Sequence, residues 1–218
     1  MNYEESLVYL NSFYKAGIKL GNERFLELLS LIGNPHFDYD VIHVTGTKGK
    51  GSTTAMAASI LEKSGRLTGG YFSPYVFDVR ERVAINGEMI SQSDFADLAT
   101  ELKPICDSIA KTSYGEVTEF EFKTALAFLQ FSRRKVDCAV IEVGIGGRLD
   151  ATNVVAPIST VITNVGLDHV HILGDTEEKI AFEKAGIIKM GIPCITAVDH
   201  LGALNVIKRR AQEVGSPL

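Results

Sequence analysis

The stretch "HVTGTKGKGSTTAM", His43 to Met56, decides the fold. It crowds Gly46, Lys48, Gly49, Lys50 and Gly51 between an apolar run and an alanine-rich one. Bare backbone, positive charge and hydroxyls in one place suit a phosphate. The N–H groups of a glycine turn and of the helix that follows point at an anion, and the helix dipole adds to the attraction. On this reading Gly46, Thr47, Lys48, Gly49, Lys50, Gly51, Ser52 and Thr53 form a cradle. Lys50 neutralises the outer phosphates, and Ser52 or Thr53 stands near a magnesium ion. The spacing departs from the usual mononucleotide loop, G-x-x-x-x-G-K-[ST]. Counting back from Gly49-Lys50 puts Val44 where the first glycine belongs, and Gly51 separates the lysine from the hydroxyls. The structural alternative is a glycine turn with Ser52 or Thr53 capping a helix over 52–64.

Outward from the loop, short apolar runs alternate with helix-like segments. "DVIHVTG" (40–46), "RLTGGYF" (66–72), "VDCAVIEV" (136–143), "ISTVITNV" (158–165) and "IPCITAV" (192–198) read as strands. Their apolar residues are mostly continuous rather than alternating, as in parallel strands buried on both faces. Helices are expected over 52–64, 119–134, 176–185 and 200–214, with Gly65, Gly186 and Gly215 as stops for three of them. This alternation predicts an α/β fold, a mainly parallel sheet flanked by helices, of the P-loop nucleotide-binding type. One insertion interrupts it. Asn86-Gly87 in "RERVAINGEMIS" predicts a small β-hairpin, because both turn positions need positive φ. A helix over 93–112, bent near Pro104, follows it, and two amphipathic helices near 3–14 and 22–33 precede the loop.

Composition narrows the function classes. A net charge of −5 and a pI near 5.6 argue against a nucleic-acid partner, which selects for a basic excess. No apolar run approaches the roughly 20 residues of a membrane span. "MNYEESLVYL" is acidic where an export signal is basic, so the expected location is the cytoplasm. Cys106, Cys138 and Cys194 are odd in number and widely spaced, which predicts three buried free thiols. The 218 residues are read as one domain that acts as a monomer.

Ligands of open parallel sheets bind beyond the carboxyl ends of the strands, and four strands here carry polar signatures at that end. They are the glycine loop, "YFSPY" with Ser73, "EVGIGGRLDATN", and "ITNVGLDHVHILG". Glu142 lies inside an apolar run, and a buried unpaired carboxylate costs several kcal/mol, so it needs a cation or an ion pair. His169 and His171 both sit in the fourth signature, and spacing alone does not choose between them. In "TEFEF", Thr118 and Glu121 form a capping box ahead of an apolar helical face. Asp175 with Glu178 is expected to box the next helix start. Lys184, just before Gly186, reads by charge pattern as a solvated surface lysine.

The ordered set "VTGTKGKGS", "YFSP", "RERVAINGE", "TEFE", "EVGIGGRLDATN", "ITNVGLDH" and "EKAGIIK" resembles the folylpolyglutamate synthase/dihydrofolate synthase family of the Mur ligase superfamily. Lys48 stands where that family usually has asparagine. The resemblance implies an ATP-dependent ligase that adds L-glutamate to a folate or dihydropteroate carboxylate through an acyl phosphate. It implies Lys50, Glu142, His169 and Lys184 as catalytic residues, and it selects His169 over His171. It also implies two Mg2+ ions. Ser73 and Glu142 would hold one, with Ser52 nearby, and Glu142, His169 and a carbamylated Lys184 the other. Folate is expected beside the loop after Ser73. Family members run to about twice this length, with a smaller C-terminal domain that closes over the nucleotide and helps bind glutamate. The chain therefore reads as the N-terminal ATPase half, whose other class of function would be a nucleotide- and folate-binding module without ligase activity.

Overall fold

The computed structural model describes residues 1–13, 17, 19 and 21–218. Among these, seven strands form one sheet in the order β4-β3-β2-β5-β1-β6-β7. β1 (Asp40–Thr45), β2 (Thr68–Tyr71), β5 (Cys138–Glu142), β6 (Ser159–Ile162) and β7 (Cys194–Thr196) run parallel. β3 (Val83–Ile85) and β4 (Glu88–Met89) close one edge antiparallel. Their turn is the expected one: Asn86 (φ 47°) and Gly87 (φ 76°) both take the left-handed conformation. Every residue of β5 is buried, as its continuous apolar run requires of a central parallel strand. Each strand is shorter than its apolar run. Asn164, for instance, leaves the ladder after β6 and turns its side chain to the glycine loop.

The helices follow the sequence closely. α1 (Tyr3–Ser12) and α2 (Glu23–Leu31) precede β1; the expected end of the first, at residue 14, lies outside the described residues. α4 (Gln92–Ile109) runs as one element through Pro104, and α5 (Glu119–Arg133) starts at the expected Thr118–Glu121 box, present in both directions. α3 (Lys50–Lys63) differs from expectation by starting two residues early and burying only Thr54. A short α6 (Val170–Leu173) follows His169. α7 (Glu177–Ala185) is capped by Thr176 rather than boxed by Asp175, which instead pairs with Lys179. α8 (Leu201–Glu213) closes the sequence of elements.

Gly65 and Gly215 take positive φ at their helix ends, but Gly186 is right-handed at φ −61°. Space holds Gly186: an added Cβ would lie 2.5 Å from Arg148 Cα. One hydrophobic core joins α1, α2, α4 and α5 to the sheet, and a second packs α7 and α8 against β6 and β7. All three cysteines are free and buried, as expected. No helix among the described residues is long and apolar enough to cross a membrane.

Candidate active site

The glycine loop joins β1 to α3 at the carboxyl edge of the parallel strands. Gly49, at φ 78°, is the N-cap of α3, with no side chain capping the helix. Ser52 and Thr53 lie inside the first turn, so they are not its cap. Among the described residues nothing accepts from the N–H groups of Lys50, Gly51 or Ser52, and the first turn is left to an outside anion. Neighbours from beyond β6 hold the loop in this shape. Asn164 Oδ1 accepts from the N–H of Thr47 (3.1 Å) and of Lys48 (2.8 Å), and Thr163 Oγ1 donates to the Lys48 carbonyl (2.7 Å). Thr47 spends its hydroxyl on Gly166, both donating and accepting at 3.1 Å, so it fixes the loop rather than a ligand. At Gly46 any Cβ would overlap Thr163 Oγ1. Lys48 and Ser52 are exposed, while Lys50 and Thr53 are half-buried.

Glu142 ends β5 beneath this loop at 3% exposure. A Cβ on Gly51 would lie 3.5 Å from its Oε2, and that oxygen accepts from Ser73 N–H at 2.8 Å. No ion pair reaches it among the described residues. Burial pushes its carboxyl up, against the Ser73 amide and the charges of Lys50 and Arg82. A buried carboxylate with one hydrogen bond and no ion pair, beside a serine, is an oxygen donor set that fits a hard cation.

Lys184 is not the solvated surface residue that its charge pattern alone suggests. It lies on α7 at 3% exposure, and burial, then the charge of Lys50, push its ammonium down to about 8 while Asp168 opposes the shift. Its carbonyl-side neighbours are packed as tightly, with a Cβ on Gly147 meeting the Lys184 carbonyl oxygen at 3.0 Å. The Lys50 charge bears on both carboxyl and ammonium, second to burial at Lys184 and opposing burial at Glu142. His169 follows Asp168, whose charge bears on Lys184. Exposed, at φ 46°, it caps α6, and its polar contacts run to Asp168: its N–H donates at 2.9 Å and Nε2 lies 3.9 Å away. Its ring is 6.3 Å from that of His171. No cluster of three or more His, Cys, Asp or Glu residues suited to a metal ion occurs among the described residues.

A cavity of about 310 Å³ opens between the start of α5 and the turn after β5, lined by Thr118, Phe120, Glu121, Ile145, Leu149 and Asp150 among others. Glu121 accepts from Thr118 N–H and forms a two-point pair with Arg24 (both 2.9 Å). Asp150 is buried and accepts from Thr152 N–H and Ile145 N–H; burial pushes its carboxyl up against these bonds. Sequence reasoning gave no role to Asn164, Asp168 or Asp150, although each stands in a motif it singled out. An asparagine two residues past a strand end, facing a glycine loop across the sheet, is a usable signal for the first.

Fold and loop together define a mainly parallel α/β domain of the phosphate-loop class. The chain belongs to the Mur ligase family, whose middle-domain model matches residues 44–211, and within it to the folylpolyglutamate/dihydrofolate synthase branch. It is 44% identical over 216 residues to the dihydrofolate synthase/folylpolyglutamate synthase of Bacillus subtilis, covering 99% of this chain and 50% of that protein. The folylpolyglutamate synthase of Lacticaseibacillus casei is 42% identical over 217 residues, covering 99% and 51%. A solved FPGS–AMPPCP complex superposes with a TM-score of 0.93 at 42% identity, covering all of this chain and 53% of that one. The chain thus spans about half the length of the curated relatives it matches.

Proposed function

We propose that this chain is the ATP-handling half of a ligase that joins L-glutamate to the carboxylate of a folate or dihydropteroate. The observation that carries the reading is one edge of the sheet, where the unpartnered first turn of α3, Lys50 and the buried Glu142 converge. Relatives bear the folylpolyglutamate synthase name, and one solved neighbour is an FPGS–AMPPCP–folate complex with a TM-score of 0.92.

A free carboxylate acylates poorly because its leaving group would be oxide. A carboxylate oxygen attacks the γ-phosphorus of ATP, the bond to the β–γ bridging oxygen breaks, and ADP leaves. The neutral glutamate amine then attacks the acyl carbon, the carbon–oxygen bond to phosphate breaks, the amine proton leaves with the phosphate, and an amide remains. The N–H groups of Lys50, Gly51 and Ser52, with the Lys50 ammonium, face the charge that spreads over the phosphoryl oxygens. Magnesium, when bound, neutralises the phosphate oxygens. Ser73, Glu142 and Ser52 would hold one ion, and Glu142, His169 and a carbamate on Lys184 a second. The burial that makes Lys184 a partly neutral amine supports the carbamate: the amine adds CO2 and releases a proton. The folate ring system is assigned to the cavity beside Phe120 and Asp150, rather than to the loop after Ser73. Its apolar wall and convergent buried polar groups suit a flat, polar-edged ring.

The test is product formation from ATP, magnesium, folate and glutamate. The chain alone should release phosphate slowly and form no folylglutamate, because glutamate positioning and water exclusion need a second wall. Adding the remaining half of the Bacillus subtilis relative should restore ligation. Full ligation by the chain alone would overturn the half-enzyme reading, and absence of product in both arms would overturn the ligase reading.

A further inference from the structure

Arg82 is a buried cation that neither the fold nor the loop chemistry accounts for. It is 7% exposed, just ahead of β3, and no carboxylate lies within ion-pair distance of it among the described residues. Nη1 donates to Tyr71 Oη at 3.3 Å. Nε is buried without a partner. Three aromatic rings surround the guanidinium, with centroids at 6.0 Å (Tyr71), 5.8 Å (Tyr75) and 5.6 Å (Phe120). A second buried cation, Lys123, faces the same Tyr75 ring at 5.6 Å, and burial, then the Arg82 charge, pushes its pKa down. Lys123 has its own counter-ion in Glu119, at 2.6 Å, so Arg82 is the charge left over. Nearby Glu81 is spent on the N–H groups of Val76, Phe77 and Asp78.

A buried charge without a partner is costly, and cation–π contacts offset only part of that cost. An anion from outside resolves it. Two features say where the anion comes from. Phe120, whose ring lies under the guanidinium, and Glu119, which holds Lys123, both line the 310 Å³ cavity. On the other side, Tyr71, which accepts the Arg82 hydrogen bond, stands two residues before Ser73, whose N–H donates to Glu142 beneath the phosphate loop. Arg82 therefore stands between the cavity and the place where phosphoryl transfer is assigned. The planar fork of a guanidinium, with one edge free, matches a carboxylate.

We infer that Arg82, backed by Lys123, is the subsite for the carboxylate that is to be activated, when the rings of the acid substrate fill the cavity beside Phe120. This rests on the assignment of the folate ring system to that cavity. The chemistry it recognises is the planar carboxylate of an acid whose rings fill the cavity, and the nucleotide phosphates remain with Lys50 and α3.

The test compares pteroate with its primary carboxamide, titrated into the folded chain, and AMPPCP titrated separately. Wild type should prefer the acid by on the order of tenfold or more. Arg82→Gln should erase that preference, with affinities for the amide and for AMPPCP held within about twofold. Arg82→Lys, which keeps the charge but not the fork, should retain part of the preference. A wild type that binds acid and amide alike overturns the assignment by itself, whether or not Arg82→Gln folds. So does a folded Arg82→Gln that keeps the preference, or one that loses AMPPCP, which would make the residue a phosphate ligand. A wild type that binds neither pteroate nor its amide removes the cavity assignment, and the subsite with it.

Discussion

Lys184 shows what a single residue's sequence neighbourhood hides. Its local pattern, ahead of a glycine and among Glu178, Lys179 and Glu183, is that of a solvated lysine. The fold turns it inward and sets it against the charge of Lys50, from the other side of the chain's order. Burial of this kind is tertiary, and helical spacing does not encode it; only the family motif pointed there. Arg82 was missed for the same reason, its unpaired state being a property of surroundings contributed by β2, α5 and the loop after Ser73. Gly46 and Lys50, by contrast, were legible because their chemistry is local to a strand-to-helix turn. The carbamate reading has a direct check. In 13C-labelled bicarbonate at about pH 8.5, near the depressed pKa of the amine, wild type should show a carbamate carbon signal that Lys184→Ala lacks. Identical spectra from the two proteins would remove the carbamate.

Elements were read more securely than residues, and their boundaries less so. Every predicted strand and helix with described residues is present, because continuous apolar runs and glycine stops are strong signals. The misplaced boundaries have specific causes. α3 starts at Lys50 because Gly49 can enter the helix left-handed and needs no hydroxyl cap. α7 takes Thr176 as its cap because Asp175 is drawn to Lys179. The start of α5 is the best-determined junction. The Thr118 hydroxyl bonds the N–H of Glu121, whose carboxylate returns to Thr118 N–H and also holds Arg24. Thr118→Ala should therefore cost about 1–2 kcal/mol in urea unfolding, and Thr118→Ser less than about 0.5 kcal/mol. Equal stability of Thr118→Ala and wild type would mean the box does not secure the helix.

At the scale of the whole molecule, the α/β class followed from the order of elements, but strand order did not, since pairing across β2, β5, β1 and β6 joins distant segments. The buried polar network of the sheet was also illegible. His43, in the middle of β1, bonds the Thr152 hydroxyl at 2.9 Å, and burial, helped by the Lys189 charge, pushes its imidazole from 6.5 down to about 3. The folded state keeps this ring neutral while the unfolded chain takes up a proton below about 6.5, so stability is full above that pH and falls as pH drops toward 3. The loss is on the order of 5 kcal/mol at its limit, and buried His36, pushed down to about 4, adds to it. His43→Gln should flatten the decline between about pH 6.5 and 4 in chemical denaturation; a pH profile as steep as wild type would assign acid sensitivity elsewhere. The proposed nucleotide site is one sheet edge, formed by the first turn of α3 and Lys50. It is tested most directly by calorimetric titration of AMPPCP, with magnesium, into wild type and Lys50→Ala, each first confirmed as folded by circular dichroism. Wild type should saturate and Lys50→Ala should bind on the order of a hundredfold more weakly. Equal affinity in two folded proteins would mean that Lys50 does not hold the nucleotide.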